Sequence, residues 1–122
     1  MKVLIADDDA DLRDLVTIAV EKAGHEVVAA VGDGLTAWER LKAEEIDLAV
    51  LDISMPGMTG LELVQRLRAD DELREQHVLI ITANVQASTA EAVHSAGANG
   101  LITKPFQVRE LVDFMRGIAD RV

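Results

Sequence analysis

The chain has 122 residues, 49% of them apolar, with a formal charge of −10 and no cysteine. That length suits one domain of ordinary size, and the apolar share supports a packed core rather than a disordered chain. The negative charge opposes contact with phosphate backbones, so no direct nucleic-acid binding is expected, and the lack of cysteine excludes disulfides, thiol catalysis and zinc–thiolate sites.

Aromatic residues are limited to Trp38, Phe106 and Phe114, so Val, Leu, Ile and Ala must build the core. Buried parallel strands covered by helices have that composition. The histidines His25, His77 and His94 are scattered, which disfavours an all-histidine metal site. No apolar run reaches the ~18 residues of a membrane span, and the start turns acidic at Asp7. Neither a membrane span nor a secretory signal is expected, and a cytoplasmic location follows by default.

In chain order, residues 3–6 read as a buried strand and residues 10–24 as a helix with Leu12, Leu15, Val16, Ala19 and Ala23 on its inner face. Asp9 or Asp11 can cap that helix, and Gly24 sits where helices stop. A second strand covers 26–31 and a second helix 34–44, carrying Trp38 and Leu41. The third strand, 47–51, runs straight into Asp52 and a loop bearing Pro56, Gly57 and Gly60. These two glycines fit a turn and a helix start better than a phosphate cradle. A third helix spans about 60–69, with Leu61, Val64 and Leu67 on a stripe, followed by a charged surface connection over 70–76.

The fourth strand covers 78–82, and an Ala-rich fourth helix runs over 86–96 to Gly97. Its shortage of large apolar residues predicts weak anchoring. The fifth strand is 100–103, and the fifth helix about 107–120, with Val108, Leu111, Val112, Met115 and Ile118 facing inward. Phe114 lies off that stripe and is expected to be partly exposed. Five strands alternating with five helices predict an α/β fold: one doubly wound parallel sheet with helices on both faces. Residues 1–122 are taken as a single domain.

In such sheets ligands bind beyond the carboxyl ends of the strands. Those ends carry Asp7, Asp8 and Asp9 on strand one, Asp52 on strand three, Thr82 on strand four and Lys104 on strand five. One cap needs one aspartate, so capping alone does not account for the trio. Clustered carboxylates call for a cation, a raised pKa or both. A hard divalent ion such as Mg²⁺ suits oxygen ligands and leaves room for a phosphoryl group. Lys104 supplies a fixed positive charge and Thr82 a hydroxyl donor. These parts suit phosphoryl transfer to a carboxylate, a reaction governed by positioning and charge neutralisation.

The ordered segments VLIADDD, LAVLDISMPGMTGLEL, LIITAN and GANGLITKPF resemble those of response regulator receiver domains, the CheY-like family of two-component systems. The resemblance covers essentially the whole chain and implies strand order 2-1-3-4-5. It implies that Asp52 is phosphorylated by a sensor histidine kinase or a phosphotransfer protein. It further implies Mg²⁺ (or Mn²⁺) held by Asp8, Asp52 and the backbone carbonyl of Ser54, with Asp7 acting mainly through water. Thr82 would be the switch hydroxyl, Lys104 the phosphoryl-binding lysine, and Lys104–Pro105 a cis bond. Ser54 and Asn84 would tune phosphoryl lifetime. Output would pass to a downstream target or a second copy through the face of helix four, strand five and helix five.

One position departs from the family pattern. Leu101 stands three residues before Lys104, where members often carry Tyr or Phe, so readout by an inward-turning aromatic does not carry over unchanged. Two other functions share parts of this pattern. A metal-dependent phosphatase of the haloacid-dehalogenase type also uses an aspartate nucleophile, but with a second acid two residues on, where this chain has Ser54. A flavodoxin-like FMN carrier shares the sheet, but carboxylates in its first loop would repel the FMN phosphate.

Overall fold

The computed structural model describes residues 1–84 and 86–121. Its strands are β1 (Lys2–Ala6), β2 (Glu26–Val31), β3 (Leu48–Asp52), β4 (His77–Thr82) and β5 (Gly100–Thr103). Its helices are α1 (Ala10–Lys22), α2 (Gly34–Ala43), α3 (Gly60–Ala69), α4 (Ala87–Ala96) and α5 (Val108–Ala119), each following the strand of the same number. The sheet is parallel throughout, in the order β2-β1-β3-β4-β5. This is the expected doubly wound α/β fold.

Strand periodicity divides the core in two. Leu4, Ala6, Ala49, Leu51, Val78 and Ile80 face one side, against Leu41 of α2, Leu63 and Leu67 of α3, and Val93 of α4. Val3, Ile5, Leu48, Val50, Leu79 and Ile81 face the other, against Val16 and Val20 of α1 and Leu111 and Met115 of α5. Because both faces are covered, the central strands read as unbroken apolar runs rather than alternating ones.

Two expectations about helix faces are corrected. Leu15 of α1 is 45% exposed and Val108 of α5 is 40% exposed. The inner face of α1 is Val16, Ala19 and Val20, with Leu12 and Ala23 packed partly buried beside them as expected. Leu15 lies about 100° round the helix from Val16, beyond the edge of that face. Val108 is the first residue of its helix. Phe114 is half-buried, and its ring lies against Gly100, where a Cβ would collide with it.

Local signals explain where the helices start and stop. Asp9 caps α1, accepting from the N–H groups of Asp11 (3.0 Å) and Leu12 (3.2 Å). Thr59 and Glu62 form a reciprocal capping box at the start of α3. Gly97 ends α4 in the left-handed conformation, φ +98°.

Candidate functional site

The parallel topology brings the carboxyl ends of β1, β3, β4 and β5 to one edge, and the expected residues meet there. Among the described residues, Asp7, Asp52 and Thr82 are the charged or polar ones that are buried, at 5%, 6% and 4% exposure. Asp8 is exposed. Oxygen atoms from Asp7, Asp8 and Asp52 lie within 4.8 Å of one another. Lys104 reaches across from the end of β5. Its Nζ is 3.2 Å from Asp7 Oδ2 and 3.4 Å from Asp52 Oδ2.

The three aspartates of β1's end have separate tasks. Asp9 caps α1, Asp7 accepts the Asp9 N–H at 2.9 Å, and Asp8 carries no such backbone duty. Arg13 of α1 steadies this turn by donating to the Asp7 carbonyl at 2.7 Å. Asp52 is held from below by helix packing. Gly60, the first residue of α3, lies so close to the Asp52 carbonyl that a Cβ would overlap it, and the Gly60 N–H donates to the Ile53 carbonyl at 2.9 Å. Glycine at this position lets α3 begin directly against the strand end.

Electrostatics define the site's state. Three carboxylates meet one ammonium here, and two of them, Asp7 and Asp52, are buried. Like charges ~4 Å apart cost several kcal/mol at the effective dielectric of a protein surface. Burial pushes the Asp52 carboxyl above its usual range, and neighbouring Asp7 adds to the effect, with Lys104 only partly offsetting it. For Lys104, burial opposes the charge, but Asp52 and Asp7 outweigh it and raise its pKa. Such a cluster fits a hard divalent cation with oxygen ligands.

A cavity of about 350 Å³ opens beside Asp52, lined by Ser54, Thr82, Ala83, Asn84 and Lys104. Thr82 Oγ1 accepts the Asn84 N–H at 3.1 Å, so its own proton remains available to an acceptor in the cavity. The space therefore has a carboxylate at its floor, an ammonium on one wall and a hydroxyl on another. A phosphoryl group fits that chemistry. Lys104–Pro105 is cis. Leu101 is half-buried against the core and borders a separate cavity of about 140 Å³ with Ala90, Val93 and His94 of α4.

Two arginines escaped the sequence reading. Arg13 supports the β1 turn, and Arg68 joins α3 to the end of α4. Their bonds are mostly to backbone carbonyls outside their own helices, and no local pattern announces such contacts.

Comparison with known proteins agrees with this geometry. Residues 3–116 match the model of the response regulator receiver domain. Chemotaxis protein CheY-3 of Vibrio cholerae is 38% identical over 122 residues, covering 100% of this chain and 94% of that protein. Chemotaxis protein CheY of Pseudomonas aeruginosa is 35% identical, covering 100% of this chain and 98% of its own length. Among solved structures, chemotaxis response regulator CheY4 of Vibrio cholerae superposes with a TM-score of 0.87 at 29% identity, covering 96% of this chain and 97% of that one. Among the described residues, no helix is long and apolar enough to cross a membrane. Neither the phosphatase nor the flavin-carrier alternative is favoured, and the function is that of a switch in phosphorelay signalling. With the aspartate cluster at the carboxyl edge of a β2-β1-β3-β4-β5 sheet, the chain belongs to the response regulator receiver family.

Proposed function

We propose that Asp52 is the phosphoacceptor of this receiver, and that residues 1–122 act as one phosphorylatable domain. The observation that carries this reading is the bridge from Lys104 Nζ to both Asp7 and Asp52, beside an open cavity. An Asp52 carboxylate oxygen attacks the phosphorus of a phosphohistidine on a sensor histidine kinase or phosphotransfer protein. The P–N bond breaks and an acyl phosphate forms. Water later cleaves the acyl phosphate, releasing inorganic phosphate and regenerating the carboxylate. In both steps the domain acts on its own side chain.

Asp7, Asp8, Asp52 and the Ser54 carbonyl would hold Mg²⁺ or Mn²⁺, and the oxygen-only cluster fits that preference. The cation supplies neutralisation of phosphoryl oxygens when bound. Lys104 Nζ moves its ion pair from the bare carboxylate to a phosphoryl oxygen. Thr82 Oγ1 donates to another. Ser54 and Asn84 border the cavity and so control the approach of water to the acyl phosphate. The output surface is the face of α4, β5 and α5, met by a downstream target or a second copy. Leu101 sits within that face and repacks there as an aliphatic side chain.

Incubation with acetyl phosphate and Mg²⁺, followed by intact mass measurement, tests the assignment. One added phosphoryl group is expected, and none in Asp52→Asn or after chelation. An equal gain in Asp52→Asn would move the acceptor elsewhere.

A further inference from the structure

Site chemistry stands at the ends of β1, β3, β4 and β5. The turn after β2, residues 31–34, supplies none of it. Its carboxylate, Asp33, is engaged in capping α2, accepting from the Thr36 N–H (2.7 Å) and the Thr36 hydroxyl (2.9 Å). Yet this turn touches the backbone on both sides of the aspartate cluster.

On the β1 side, the Val31 carbonyl accepts the Asp7 N–H at 3.0 Å. Arg13 Nη1 donates to the Asp7 carbonyl at 2.7 Å, and the same nitrogen lies against Gly32, where an added Cβ would come within 3.1 Å of it. Asp7 is thus held at its N–H by the end of β2 and at its carbonyl by an arginine seated on that end. On the β3 side, the Gly34 N–H donates to the Pro56 carbonyl at 3.2 Å, and Pro56 also accepts the Met58 N–H at 3.0 Å. Gly34 is buried, and a Cβ there would overlap the Met58 carbonyl. Met55 and Met58 are buried in the same core as Ala37 and Leu41 of α2. The loop that carries Ser54 is therefore pinned to the first turn of α2 through two carbonyls and two side chains.

We propose that residues 31–34 form a brace for the cation site, setting the spacing between Asp7 and the Ser54 carbonyl, with Gly34 as its main positioning residue. This rests on the reading of Asp7, Asp8, Asp52 and Ser54 as the groups that hold Mg²⁺. Asp7 and Ser54 lie on different segments, and the pairing of β1 with β3 ends at Ala6 and Leu51. Past that pair the ladder no longer fixes one segment against the other, and the turn after β2 contacts both. Mg²⁺ demands near-ideal octahedral geometry, so a displaced loop weakens binding rather than adapting to the ion. Gly34 and Arg13 are not ligands; they act through the carbonyls of Pro56, Met58 and Asp7.

Titration calorimetry with Mg²⁺ on the parent chain, Gly34→Ala, Arg13→Ala and Ile118→Ala tests the brace. Ile118 is buried in the last turn of α5, so its truncation lowers stability without touching the turn and serves as the control. Gly34→Ala should weaken Mg²⁺ about tenfold or more, Arg13→Ala by a smaller factor, and Ile118→Ala not at all. Beryllofluoride, a phosphoryl mimic, should still bind Gly34→Ala once Mg²⁺ is raised in proportion, because Thr82 and Lys104 stand on β4 and beyond β5. Hydrogen exchange without metal gives a second reading. The Gly60 amide, bonded to the Ile53 carbonyl at the base of the loop, should accelerate about tenfold in Gly34→Ala while that of Ile80 in β4 does not.

Parental Mg²⁺ affinity in Gly34→Ala, an equal loss in Ile118→Ala, no recovery of beryllofluoride binding at high Mg²⁺, or an unchanged Gly60 amide would each overturn the brace. Where Gly34→Ala does not fold, Arg13→Ala decides, and parental affinity in that variant would overturn it. A parent chain that binds no Mg²⁺ would remove the cation reading itself, and the brace with it.

Discussion

Helices α3 and α4 have ten residues each, and each follows a strand whose end supplies a site residue, Asp52 for β3 and Thr82 for β4. There the likeness stops. α3 buries Gly60, Leu63, Val64 and Leu67 and starts with a full capping box, whereas α4 buries Val93 and has no side-chain cap. Burying each large aliphatic side chain stabilises by about 1.5–3 kcal/mol, so α3 is held several-fold more firmly. The element behind the nucleophile is fixed in place, and the element behind the hydroxyl is left able to respond. A receiver needs both: chemistry requires a positioned carboxylate, and signalling requires an element with low stability of its own.

The largest way to break this contrast is to empty the core beneath α3. Leu67→Ala should cost about 2–5 kcal/mol in urea unfolding, clearly more than Val93→Ala. Equal losses would mean that α4 is anchored as well as α3. Next comes Gly60→Ala. The added Cβ meets the Asp52 carbonyl, so we expect a loss of about 1–3 kcal/mol together with slower incorporation of phosphoryl from acetyl phosphate. Stability lost with labelling unaffected would separate α3's start from the placement of Asp52.

A smaller effect concerns charge. The folded Asp52 carboxyl holds its proton more tightly than its ordinary value of 3.8. Between that value and the higher folded one the native state binds more protons than the unfolded state, so this group's contribution to stability falls as pH rises through the window. In metal-free protein Asp52→Asn should remove that fall and raise stability at neutral pH, as read by urea unfolding. A variant less stable than its parent at neutral pH would mean that the Lys104 pair outweighs burial and Asp7.

The smallest effects come from the caps. Thr59→Ala should destabilise by about 0.5–1 kcal/mol, while Gln86→Asp, which supplies α4 with the cap it lacks, should stabilise by a similar amount. The second variant should also reduce the response of α4 to beryllofluoride, measured by hydrogen exchange over residues 86–92. An unchanged response would show that capping does not limit the motion.

Much of this was legible from the sequence, for physical reasons. Short apolar runs ending in Asp7, Asp52, Thr82 and Lys104 identify both the strands and the edge at which they converge, because parallel topology leaves little alternative. Strand bounds fall within a residue of those expected, since a buried strand is defined by solvation, which composition records. Helix faces were less legible. Leu15 and Ile18 are apolar yet about half exposed, and apolarity alone does not say which side of α1 meets the sheet. Phe114 lies off the main stripe and is half-buried, as expected, and its ring fits against Gly100 because that residue has no side chain. The role of Arg68 is not legible because most of its acceptors are main-chain carbonyls, which every residue possesses.

The bond between Lys104 and Asp7 joins residues 97 apart in the chain. Its two ends come from the first and last strands in sequence, and β1 and β5 are not neighbours in the sheet. The ion pair therefore forms only after β3 and β4 have taken their places between them. Contacts of such long range are the slow ones to form in folding. A copy emerging from synthesis without β5 has the aspartates but lacks the lysine that bridges them. Completeness of the fold is thus a precondition of the site, and an unfinished molecule has nowhere to carry a signal.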